Sequence, residues 1–404
     1  MHLGLVTCEF FDAAVGRMGG FGFASRSVIR CFQRVPEAGV KVTTLAGEER
    51  LPGERRVDRV HGVPLVPYDH DGRKVLIQHC RAIRRVKADM LLTIDYRPSY
   101  DRIFLSLPRT PIAIWVRDPW TPEDQRRIAT VRVPGDDAPA RGTGHPNTTQ
   151  LSRIARLAKL TRRRLAFVSP APHLVARVEG TYGVPLAELP LLPNIIAQPT
   201  EPPRKSARPS VVFLGRLDPI KRPWVMAEIG RRMPDVDVYF LGQPHYAPGP
   251  GVWTPTDLPL NVKLMGHVDG PRKAELLDAA WLLVNTSIHE GLAISFLEAL
   301  AHRTPVVAGL DPDGVVSRYG IYVGDYLGDG MASVDAYVTA IRALIDDPGR
   351  RARLGEAGQA WVAATHNHTN FLRQFGALCE RLRVRLPVTA TLAEPSESRI
   401  LIPT

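Results

Sequence analysis

The chain has 404 residues, 44% of them hydrophobic and 23% charged, the composition of a globular protein long enough for two domains of about 150 to 200 residues each. Lys and Arg number 52 against 41 Asp and Glu, and the resulting charge of +11 favours acidic partners such as nucleotide-sugars or anionic lipid surfaces. No basic-aromatic nucleic-acid module is present, which argues against nucleic acid, and Cys8, Cys31, Cys80 and Cys379 form no C-x-x-C pair, which argues against a disulfide framework or a structural zinc site.

The N-terminus, MHLGLVTCEF, enters a strand at Leu3 to Thr7 without the basic region and apolar core of a signal peptide, so a cytoplasmic protein is expected. No apolar run reaches the roughly 18 residues of a membrane span, so any membrane contact is peripheral. A glycine-rich turn (GRMGGFGFA) follows, with Gly19, Gly20 and Gly22 in a loop where backbone can approach a ligand, and a helix runs through Ser27 to Phe32. Strands near Val40 to Leu45 and Met90 to Ile94 continue a parallel α/β alternation. The strand in PIAIWVRDPWTPED ends near Val116 and delivers Arg117 and Asp118 to its carboxyl edge, where ligand-contacting groups gather in such sheets.

From Pro134 to Gln150 the chain is Pro- and Gly-rich, a connection longer than most and so expected to be functional or mobile. The helix LSRIARLAKLTRRR then places Leu151, Ile154, Leu157 and Ala158 on one face and Arg153, Arg156, Lys159 and Arg163 on others. Its expected state is a solvated basic face with the apolar side chains buried, a membrane-docking face being the alternative. A first domain over residues 1–196 therefore gives way to a Pro-rich, charged linker at 197–210. A second domain over 211–370 starts at the strand Val211 to Leu214, with further strands at Val236 to Leu241 and Val262 to Met265 and a helix at Pro271 to Ala280. A terminal helix over 371–386 and a loose tail over 387–404 complete the chain.

The second half is organised around Asn285 to Gly309, NTSIHEGLAISFLEALAHRTPVVAG, which reads as strand end, loop, helix and strand. Two carboxylates stand eight positions apart, Glu290 before the helix beside His289 and Gly291, and Glu298 just inside it. Ser295 to Glu298 has the S-x-x-E form of a capping box, a purely structural use of Glu298, and Glu290 reads either as a solvated loop charge or as a ligand group.

The pattern EGLAISFLEALA followed by PVVA resembles the donor-site signature of retaining GT-B glycosyltransferases, especially glycosyltransferase family 4. A second match lies upstream in VVFLGRLDPIKRP, where Gly215, Arg216 and Lys221 keep the G-R-x4-K spacing of that family. The resemblance implies two Rossmann-like domains facing each other across a cleft, with the last helix crossing back to the first domain. It implies Arg216 and Lys221 on the donor diphosphate, Glu298 on ribose hydroxyls, and Glu290 on the sugar. Gly19, Gly20, Gly291, Leu292, Ala293, Ile294 and Ser295 would lie along the donor, with Asp118 and His289 near sugar or acceptor. The resemblance implies metal-independent transfer with retention, from a UDP-sugar foremost and a GDP-sugar next, to a small-molecule, glycan or lipid-linked acceptor. Arg117 departs from the His-Asp pair of many relatives, and suits a carboxylate, phosphate or ring hydroxyl.

Asp69-His-Asp71 and Asp311-Pro-Asp313 have the D-x-D form of a metal-holding motif but read as turns, and His366-Asn-His368 lacks further zinc ligands. Two alternatives to the transferase are a non-catalytic GT-B-like binding subunit and a GT-B-fold nucleotide-sugar isomerase.

Overall fold

The computed structural model describes residues 1–10, 19–46, 58–66, 73–97, 100–143, 150–184 and 189–387. The Asp69-His-Asp71 motif, residues 16–18 of the glycine-rich turn, 144–149 of the Pro/Gly-rich connection and the tail beyond 387 lie outside them. The first half alternates strands β1 (His2–Thr7), β2 (Lys41–Ala46), β3 (Arg59–Val60), β4 (Val63–Val66), β5 (Met90–Ile94), β6 (Ile112–Trp115) and β7 (Leu165–Val168) with helices. Those helices are α1 (Gly20–Arg34), α2 (Arg73–Val86), α3 (Tyr100–Ser106), α4 (Pro122–Ile128), α5 (Gln150–Leu160) and α6 (Leu174–Tyr182). Central strands such as β5, MLLTI, are buried on both faces, so they carry continuous apolar runs, as helix-covered parallel sheets require. Their order is β3-β4-β2-β1-β5-β6-β7, parallel except for the β3–β4 pair.

The second half builds a second parallel sheet from β8 (Ser210–Leu214), β9 (Asp237–Leu241), β10 (Val262–Leu264), β11 (Leu282–Asn285), β12 (Val306–Ala308) and β13 (Gly320–Tyr322), ordered β10-β9-β8-β11-β12-β13. Its helices are α7 (Pro223–Arg232), α8 (Gly270–Ala279), α9 (Ile294–Ala301), α10 (Val315–Tyr319), α11 (Val334–Ile345) and α12 (Pro348–Thr365). The final helix, α13 (His368–Arg381), returns to the first domain, where Phe371 and Phe375 pack edge-on against Phe32. The architecture is the expected pair of Rossmann-like domains across a cleft.

Several boundaries differ from expectation. Helix α1 starts at Gly20, so Gly20 and Gly22 lie in the helix and only Gly19, its N-cap, remains in the turn. On α5, Leu151, Ile154 and Ala158 are buried, but Leu157 is 37% and Leu160 81% exposed, so this helix does not bury all its bulky apolar groups. The second half of the linker is fixed to the second domain: Lys205 Nζ donates to His302 O and Thr304 Oγ1, and Trp281 Nε1 to Ser206 O.

The largest departure is a strap, residues 120–143, placed by sequence in the first domain. Its Ile128, Val131, Val133 and Ala140 belong to the second domain's hydrophobic core, among Phe213, Trp224 and Phe240. Arg127 pairs with Asp325 through two 2.5 Å contacts, and Gly251 N donates to Asp136 Oδ2 at 2.7 Å. The apolar strap residues are dispersed in sequence and share no helical or strand period, so nothing local marked which core they would enter.

Candidate active site

In an open parallel sheet the crevice for a ligand forms where consecutive connections leave in opposite directions. The first sheet reverses between β1 and β5, the second between β8 and β11. The carboxyl ends of these strand pairs face each other across one cavity of about 450 Å³. Glu9 follows β1, Arg97 follows β5, Arg216 follows β8 and Glu290 follows β11, and all four line it.

On the second-domain wall, Gly215 and Arg216 leave β8 and the chain turns through Pro219–Lys221. Lys221 Nζ donates to Glu290 Oε1 at 2.6 Å, joined on the same oxygen by Ser287 Oγ at 2.8 Å and Asn285 Nδ2 at 3.1 Å. Glu290 is therefore fixed, not a freely solvated loop charge, and its Oε2 has no hydrogen bond among the described residues. Arg216 bridges the cleft, its Nε 3.0 Å from Asp218 and its Nη1 3.4 Å from Glu9. Burial opposes the charge on Arg216, but Glu9 and Asp218 outweigh it and raise its pKa.

The N-terminus of α9 opens into the same cavity, lined by Gly291, Leu292, Ala293, Ile294 and Ser295. Ala293 is its N-cap and supplies no side-chain cap, so the capping box of Ser295 and Glu298 does not form. Both residues already lie inside the helix. Glu298 instead meets Lys273 Nζ at 2.6 Å, which lies 3.7 Å from Asp269, and Asp269 forms a two-pronged pair with Arg26 of α1. Uncapped N–H groups and the dipole make this helix end a site for anions. A Cβ on Gly291 would stand 1.9 Å from Arg117 O, so the close approach of the two domains depends on glycine there.

On the first-domain wall, Arg117 is tied to its own domain. Its guanidinium lies over Trp115, at 4.4 Å, and donates to Asn194 Oδ1 at 2.6 Å, while its buried Nη1 has no hydrogen-bond partner among the described residues. Burial lowers its pKa to about 10. The guanidinium is thus held by Asn194 and Trp115, while the residue lines the cavity beside Asp118. Asn194 N donates in turn to His366, whose ring burial, reinforced by Arg117, holds at about 3, so His366 is a neutral acceptor between helices. Asp313 pairs with His173 and Asp311 accepts from Val316 N, so that D-x-D motif is committed to structure.

Asp118 does face the cavity, and His289 joins it from the other domain at 2.9 Å, with Asp124 at 3.4 Å on the second ring nitrogen and Trp120 edge-on at 5.3 Å. Burial works against the imidazolium, but Asp118 and Asp124 raise its pKa to about 9. His289 is thus a charged bolt across the domains. Gly19 and Gly20 line the cavity beside Glu9. Sequence reasoning missed Glu9, Asp95, Arg97, Tyr182 and Lys273. The strand-end rule that points to Arg117 and Asp118 applies equally to IDYRPSY after β5.

Residues 196–361 match the family of glycosyl transferases group 1. Over 176 residues the chain is 33% identical to a GDP-mannose-dependent α-(1-6)-phosphatidylinositol monomannoside mannosyltransferase of Mycolicibacterium smegmatis, covering 38% of this chain and 43% of that protein. Over 276 residues it is 27% identical to a D-inositol 3-phosphate glycosyltransferase of Nocardia farcinica, covering 63% and 56%. The chain thus spans less than half the length of the mycobacterial relative. Among solved structures, sucrose-phosphate synthase of Thermosynechococcus elongatus aligns with a TM-score of 0.67 at 15% identity, covering 95% and 99% of the two chains. Anabaena HepE, solved with UDP-glucose, aligns at 0.62 and 15% identity over 94% and 100%. These structures share the GT-B fold with this chain.

Proposed function

We propose that this protein is a glycosyltransferase that moves a sugar from a nucleoside-diphosphate donor to an acceptor held on the first-domain wall. The observation that carries it is the convergence of Arg216, Lys221, Glu290 and the open end of α9 at the second-domain switch point, within the segment that matches glycosyl transferases group 1. As the glycosidic bond to the diphosphate breaks, negative charge grows on the leaving oxygens. Arg216, Lys221 and the α9 N–H groups are aimed where that charge develops, and they carry it without requiring a metal. Binding of the diphosphate would draw Lys221 from Glu290, whose carboxylate then favours positive charge at the anomeric carbon. Glu298, held by Lys273, holds the ribose hydroxyls. Transfer proceeds with retention in this reading, as expected of glycosyltransferase family 4.

The sequence relatives named for GDP-mannose weigh more than fold-level likeness to UDP-bound structures, so a GDP-sugar is the first donor to test and a UDP-sugar the second. The acceptor follows the relatives' names, a polyol phosphate or a lipid-linked polyol. Exposed Leu157 and Leu160 on the same helix as Arg153, Arg156 and Lys159 support peripheral contact with an anionic membrane. Among the described residues no helix is long and apolar enough to cross one.

Thermal unfolding against GDP, UDP, ADP and dTDP tests the donor, because a ligand at about 100 times its Kd adds roughly 2.7 kcal/mol. One diphosphate should raise Tm, with Arg216→Ala reducing the shift and EDTA leaving it unchanged. No shift with any of them would refute the donor assignment. Release of epimerised nucleotide-sugar without acceptor would select the isomerase, and binding without turnover the non-catalytic subunit.

A further inference from the structure

We propose that Arg97 is the residue that recognises the acceptor, and that the group it reads is a phosphate. This rests on the glycosyltransferase reading above and adds to it a specificity residue on the opposite wall from the donor. Arg97 leaves the carboxyl end of β5, at the first-domain switch point, and lines the cavity. It is half-buried, with its guanidinium 5.6 Å from the centre of the Phe21 ring, and it makes no hydrogen bond or ion pair among the described residues. The donor-wall cations are engaged: Lys221 with Glu290, Arg216 with Glu9 and Asp218, Lys273 with Glu298.

The backbone around Arg97 is built for a fixed direction. Asp95, two residues earlier, has φ 57°, a left-handed conformation that is strained for a non-glycine residue unless its surroundings hold it. Three donors do so: Tyr96 N at 2.9 Å and Asp118 N at 3.0 Å on its two oxygens, and the Tyr182 hydroxyl. Asp95 is thus a positioning residue, its carboxylate occupied by the turn that sends Arg97 into the cavity. Burial opposes the charge on Arg97, yet Cys8, Asp95, Tyr100 and Glu9 around it raise its pKa, so it stays a cation. Of those neighbours, Glu9 is paired with Arg216 and Asp95 with its three donors. With no hydrogen bond among the described residues its donors are left for a ligand, and its planar fork matches a phosphate through two parallel hydrogen bonds.

The phosphate can arrive on a free polyol or as a lipid headgroup, and two arms of one experiment separate them. With GDP or UDP saturating, the protein, Arg97→Gln and Arg97→Lys are melted with glycerol 3-phosphate or, as the uncharged control, glycerol. The same three are sedimented with phosphatidylcholine vesicles, with and without phosphatidylinositol. Glycerol 3-phosphate should raise Tm where glycerol does not, with about tenfold or weaker binding in Arg97→Gln and partial recovery in Arg97→Lys. If only phosphatidylinositol vesicles bind in an Arg97-dependent way, the source is the headgroup. The proposal is overturned if Arg97→Gln matches the wild type with both probes, or if neither probe binds the wild type. The nucleotide shift should be equal in all three proteins. Its absence from the wild type would count against the donor reading, which the Arg97 comparison does not depend on.

Discussion

The two walls of the cleft are built from the same device, a reversal of strand order, and yet they differ in how their charges are arranged. On the second-domain wall, Glu290 takes three donors on one oxygen, and Arg216, Lys221 and Glu298 each have a partner. On the first-domain wall, Arg117 is held by Asn194 and Trp115, Asp95 is spent on a strained turn, and Arg97 has no ion pair among the described residues. The paired wall suits a ligand of constant chemistry, a diphosphate that exchanges for ion pairs already present. In the proposed reading, the other wall leaves its charge for the acceptor.

The comparison breaks first at Glu290. Glu290→Gln keeps a hydrogen-bonding group and removes the charge, so turnover should fall by about 10²- to 10³-fold while GDP or UDP still raises Tm. Steady-state rates and melting curves on one preparation check this, and unimpaired turnover would remove Glu290 from the mechanism.

Gly291→Ala tests whether the walls must meet. Its Cβ would collide with the Arg117 carbonyl, so a loss of about 3 kcal/mol is expected, with a larger radius of gyration by small-angle scattering. An unchanged radius would mean that the approach of the domains tolerates a side chain there.

His289 sharpens the comparison through pH. Its folded pKa, about 9, lies above the ordinary 6.5, so its stabilising charge is complete below pH 6.5 and is lost as pH rises through 9. The contribution amounts to at most about 3 kcal/mol. His289→Gln should therefore flatten the fall in Tm between pH 7 and about 10. Lys205, which burial holds near 7, acts in the opposite sense, and comparing variant with wild type cancels it. Parallel curves for the two proteins would show that the bolt carries no charge.

The smallest effect concerns the outer face of the first domain. Leu160→Glu should weaken sedimentation with anionic vesicles by about 1 to 2 kcal/mol without touching turnover on a soluble acceptor. Equal sedimentation would confine Leu160 to chance exposure.

Sequence legibility followed the same division. Glu290, Arg216 and Lys221 lie on short connections whose spacing is set by a strand, a turn and a helix start, so adjacency in sequence became adjacency in space. Both sheets were legible because strands buried on two faces must be apolar throughout. Glu298 was ambiguous because S-x-x-E describes a cap only when the serine precedes the helix, and α9 begins one residue before Ser295. Which way Arg117 points depends on Asn194 and Trp115, and the Asn194 contact spans 77 positions. Arg97 and Asp95 were hidden for another reason: a positive φ leaves no trace in an Asp-Tyr-Arg tripeptide.

The strap at 120–143 bears on how such proteins can be recombined. Exchanging first halves between relatives at the hinge near residue 196 would follow the chain's apparent seam, but it would carry away Ile128, Val131, Val133 and Ala140 from a core that stays behind. The incoming half would have to supply four apolar side chains of matching volume and a cation for Asp325. An exchange of the first domain therefore has workable crossover points on either side of the strap, and not at the linker: the first domain and the piece that completes the second domain's core are interleaved along one polypeptide.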